Sequence, residues 1–114
     1  MNPRTAWKQE FDHEIEQAER ARSRGNEGMA RVCARRAAGI VIGEYLFRHG
    51  YSGTTHSAYE RLALLDHMPE VNQEYKDIAS HFLLKVNHEH QFMHHVDLIE
   101  DARILEKSLL TNNN

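Results

Sequence analysis

A chain of 114 residues, 40% of them hydrophobic, has the length of a single domain spanning 1–114 and enough apolar chain to bury a core of its own. A formal net charge of −3 excludes the global positive field that draws a protein to nucleic acid, and a lone cysteine, Cys33, excludes an intramolecular disulfide. The apolar run Ala37 to Gly43 is far shorter than the roughly 20 residues that span a bilayer, and no charged leader with an apolar core opens the chain, so a cytoplasmic protein without a membrane segment is expected.

Trp7, Phe11, Ile15, Ala18 and Arg22 recur every three or four residues with polar positions between them, which predicts an amphipathic helix over 4–23. Gly25 is placed to close it and Asn26 to cap the next. A second helix is expected over 27–48, with Met29, Val32, Cys33, Ala37, Ile40, Val41, Tyr45 and Leu46 inward. Ala34, Ala38, Gly39 and Gly43 keep one side small enough for a neighbouring helix to approach. Gly50 ends this helix, and a Ser52–Thr55 turn with a capping hydroxyl at its far end leads to a short helix over 56–66. After Pro69, the spacing of Val71, Tyr75, Ile78, Phe82 and Val86 predicts a helix from Glu70 that fades between Asn87 and Gln91. Asp97 with Glu100 three residues later forms a capping box for a terminal helix bearing Leu98, Ala102, Leu105 and Leu109, and residues 111–114 are expected to fray. No strand is expected. Short loops between helices favour antiparallel neighbours, so the fold class is all-α, an antiparallel four-helix up-and-down bundle with an additional short helix.

The order of these elements, the segment R-R-A-A-x-I-x-I-x-E-Y-L from Arg35 to Leu46, and Thr54-Thr55-His56-Ser57 before a Leu-rich helix resemble the HEPN superfamily of small all-helical nucleotide-binding domains. The resemblance covers roughly residues 18–107. It implies a homodimer, a nucleotide or RNA ligand, and a nucleotidyltransferase as a possible partner. Many members are metal-independent ribonucleases that pair an arginine with a histidine, four to six residues lying between them. Here the matching region offers Lys85 and His90, with lysine in place of the planar guanidinium fork. The resemblance therefore implies a non-catalytic binding domain, or else a toxin-like ribonuclease using Lys85 and His90. No cofactor is implied.

Other clusters bear on function. Arg31, Arg35 and Arg36, near Arg20 and Arg24, could hold phosphates of RNA or a nucleotide, or form surface ion pairs with Glu19, Glu27 and the later acidic helices. Tyr45, Tyr51 and Tyr59 with His56 could line a small pocket or close one end of the bundle. His88, His90, His94 and His95 lie within eight residues and suit a zinc, nickel or copper site. Glu10 and His13 have the Glu-x-x-His spacing of di-iron bundles, but no second copy follows and a surface role is expected.

Overall fold

The computed structural model describes residues 5–51, 55–83 and 96–110. It is all-helical, with helices α1 (Ala6–Ser23), α2 (Glu27–Arg48), α3 (Ala58–Leu65), α4 (Gln73–His81) and α5 (Leu98–Leu110), and no strand among the described residues.

Helix α2 is the centre of the packing, touching α1, α3 and α5, while α4 lies against α3 and α5. Its start and stop follow from local chemistry. The Asn26 side chain accepts from the Met29 N–H at 3.1 Å, and Gly25 and Gly50 take positive φ values of 78° and 84° to turn the chain after α1 and α2. A chain of ion pairs gives the relative direction of α1 and α5. Lys8 meets Glu106, Glu19 meets Arg103 and Arg22 meets Asp97, so the start of one helix lies beside the end of the other. Arg48 at the end of α2 stacks over the Trp7 ring at the start of α1 and donates to the Leu110 carbonyl, tying three helix ends together.

The core is built from Phe11, Ile15 and Ala18 of α1, the Ala/Cys/Val/Ile seam of α2, Leu62 and Leu65 of α3, Phe82, and Leu98, Ala102 and Leu105 of α5. Gly39 and Gly43 explain how α3 comes so close. A Cβ on Gly39 would stand 2.6 Å from the Ala58 Cβ and 2.9 Å from its Cα, so α3 starts directly against the backbone of α2. Over Gly43 lies the Arg61 guanidinium, which donates to the carbonyls of Gly39 at 3.0 Å and Thr55 at 2.9 Å. The small-residue seam is thus a packing device, as its spacing implied.

Two elements differ from expectation. The short helix starts at Ala58 rather than at His56, because the capping hydroxyl belongs to Ser57, which accepts from the Glu60 N–H, while Thr55 Oγ1 accepts from the Ser57 N–H. Helix α4 begins at Gln73, not Glu70; Val71 instead closes a turn onto the Met68 carbonyl and buries its side chain there. The expected extension of α4 beyond Leu83 and the frayed tail lie outside the described residues. At α5 the Asp97 carboxylate accepts from the Ile99 and Glu100 N–H groups, which is the capping interaction read from the spacing. No helix among the described residues is long and apolar enough to cross a membrane.

Candidate functional site

With 3.6 residues per turn, Met29, Val32, Arg36, Ile40, Gly43 and Phe47 fall on one side of α2. Helices α1, α3 and α5 pack on α2, Arg61 of α3 covers Gly43, and four side chains on this side remain exposed. Met29, Val32 and Phe47 are 45%, 38% and 76% exposed, Arg36 is exposed and Ile40 is half-buried. Met29 and Val32 therefore do not point into the core, contrary to the apolar face expected for α2. Their period matches the helix, yet no described element lies over them.

The borders of this stripe carry both signs of charge. On the α1 side, Gln9, Glu10, His13 and Glu14 form a shallow depression with Ile40, placing two carboxylates about one helical turn from Arg36 in the α2 sequence. Glu10 and His13 are both exposed, which agrees with a surface role for this Glu-x-x-His pair. Beneath them Cys33 is buried, and that burial together with the Glu14 carboxylate pushes its thiol pKa up, leaving it protonated and unreactive near neutral pH.

The arginines singled out by sequence do not form one open cradle. Arg35 Nε donates to the Phe82 carbonyl at 3.1 Å, binding α2 to the end of α4. Arg31 is half-buried and engaged, and Arg36 alone of the three is exposed. Nearby, Arg20 pairs with Glu16, and Arg22 holds Glu27 at 2.8 Å and Asp97 at 3.1 Å. Within the cluster, Arg20 is thus joined to a carboxylate and Arg35 to a carbonyl of its own chain, and beside it Arg22 makes the ion pair with Glu27.

Tyr45 and His56 are not brought together. His56 is exposed ahead of α3, and Tyr59 is exposed on α3 itself. Tyr45 is buried at the other end of α2, where its ring lies 4.1 Å from that of His49, beside Glu70 and Tyr75. His49 is one turn beyond Tyr45 at the end of α2, whereas Glu70 and Tyr75 come from the turn before α4 and from α4 itself, and no spacing in the sequence joins them to Tyr45. Glu44 pairs with Arg48, one turn further along α2, at 2.9 Å.

Two carboxylates on α5 have opposite electrostatics. Burial raises the Asp101 pKa, and its 2.8 Å contact with His81 Nδ1 only partly offsets that rise. Burial acts in the same sense on Asp97, but Arg22 and the N–H groups of Glu100 and Ile99 outweigh it and leave the Asp97 pKa lowered. Among the described residues no group of three or more His, Cys, Asp or Glu side chains converges as metal ligands. Lys85 and His90, and the cluster His88, His90, His94 and His95, lie outside the described residues.

Comparison with protein-family models, with curated proteins and with solved structures gives no match for this chain.

Proposed function

We propose that this chain is a non-catalytic helical binding module of HEPN type whose partner surface is the outer face of α2, and that the partner is a second copy of the chain. The supporting observation is that Met29, Val32 and Phe47 are exposed on one side of α2, with Ile40 between them partly buried against the core. Exposed apolar side chains beside a polar rim are what an interaction surface requires. Arg36 on the stripe and Glu10 and Glu14 at its border give one face both halves of an ion pair. Under a twofold axis such a face is self-complementary, because each patch meets an identical one.

RNA or nucleotide binding draws less support. Arg22 and Arg35 are already bonded within the chain, so few cations of the cluster remain to hold phosphate. Light scattering over a concentration series, run beside a titration of labelled RNA at low salt, tests the reading. The expected particle has twice the 13.3 kDa mass of one chain, with no saturable RNA binding. A monomer at all concentrations, or tight salt-sensitive RNA binding by a monomer, contradicts it.

A further inference from the structure

At the end of the molecule away from His56, a cleft of about 360 Å³ opens between the end of α2, the turn before α4, and the last turn of α5. Tyr45, His49, Glu70, Asn72, Tyr75 and Ser108 supply its polar wall. Its size lies at the lower end of the range typical of small-molecule sites, about 300–1,000 Å³.

The chemistry of the wall selects a sign of charge. Glu70 is the only carboxylate lining the cleft, and no cation pairs with it among the described residues. Glu70 is exposed; one of its oxygens accepts from the Tyr51 hydroxyl at 3.2 Å, and the other has no partner among the described residues. Tyr45 is 7% exposed, and its hydroxyl has no hydrogen-bond partner among the described residues, although no fully buried side-chain oxygen there is unsatisfied. Its polar end therefore opens onto the cleft. His49 Nδ1 lies 3.1 Å from the Tyr45 carbonyl, which can only accept, so Nδ1 donates to it. The Tyr45 and His49 rings lie against each other at 31°, with Tyr75 on the opposite element, α4.

A carboxylate, the Tyr45 and Ser108 hydroxyls and the electron-rich Tyr75 ring, without a lysine or arginine in the lining, are the chemistry that holds a positively charged group. We propose that the cleft binds a small organic cation of the guanidine or alkylamine class. The carboxylate of Glu70 and the Tyr45 hydroxyl take the N–H donors, and the half-buried Tyr75 ring faces the cationic carbon or nitrogen.

Amide NMR titration of the intact chain with agmatine, against adenosine monophosphate and a neutral alcohol at matched ionic strength, tests this. Saturable shifts centred on Tyr45, Glu70, Tyr75 and Ser108 are expected with agmatine and not with the two controls. Glu70→Gln keeps an acceptor for Tyr51 but removes the charge, and should weaken agmatine binding about tenfold or more. Tyr75→Leu removes a ring without touching the charge and should weaken it by a smaller factor. Absence of saturable shifts at millimolar agmatine, equal binding by Glu70→Gln, or preferential binding of the nucleotide each overturns the proposal.

Discussion

The two sides of α2 are made from similar residues and serve opposite ends. On the inner side, Ala34, Ala37, Ala38 and Val41 are fully buried, and Gly39 is cut so close to Ala58 that a single added carbon collides with backbone. On the outer side, Met29, Val32 and Phe47 are as apolar but uncovered. Hydrophobic content alone thus does not separate core from contact surface; what separates them is whether another element of the same chain is placed to cover the face.

The sharpest way to break that contrast is at Gly39. Gly39→Leu should destabilise the fold by about 3 kcal/mol or more in chemical denaturation, since α3 must leave α2 to admit the side chain. Gly43→Ala should cost less, about 1–2 kcal/mol, because the added methyl pushes the Arg61 guanidinium off the Gly39 carbonyl while helix propensity improves. Equal costs at the two sites would mean that α3 does not pack on α2 as described.

Next in size is Lys8→Met. Glu106 is buried and its carboxylate meets Lys8 at 2.9 Å, so the substitution leaves a buried charge without its cation and should cost about 1–3 kcal/mol. Raising the Lys8 pKa is the other side of the same contact: burial lowers it, and the bonds to Glu106 and Asp12 more than reverse that. By contrast Val32→Ser on the outer face should leave monomer stability within about 0.5 kcal/mol, the usual range for open surface positions.

The smallest expected effect concerns pH. The folded pKa of Asp97 is lowered, so its contribution to stability is present above the ordinary carboxylate pKa and disappears as pH falls through the folded value. Asp97→Asn keeps a good helix cap and removes only the charge. It should cost about 0–1 kcal/mol at neutral pH, since Arg22 and Asp97 are both well exposed, and nothing once acid has protonated the wild-type carboxyl. Asp101 has the opposite linkage: its folded pKa is raised, so its contribution is lost as pH rises through that value. Urea denaturation of Asp97→Asn and wild type across the acid range checks the sign.

Much of the architecture was legible because it rests on local chemistry. The bounds of α2, the Asn26 and Asp97 caps and the two positive-φ glycines are all written within a few residues of where they act. The inward assignment of Met29 and Val32 failed for a different reason. Periodicity reports that a stripe is apolar, not whether the chain supplies a helix to cover it. The cleft was only partly legible: Tyr45 was singled out, but Glu70, Tyr75 and Ser108 join it through folding across α2, α4 and α5. The arginines were ambiguous because a carboxylate partner such as Asp97, 75 residues from Arg22, has no signature in local spacing.

The account turns on the outer face of α2, and sedimentation velocity of the Phe47→Glu variant beside the wild-type chain is its most direct test. A wild-type dimer that becomes a monomer in the variant, with unchanged helical circular dichroism, is the predicted result. A variant that sediments as the wild type does, or a wild-type chain that is monomeric at every concentration, would contradict it.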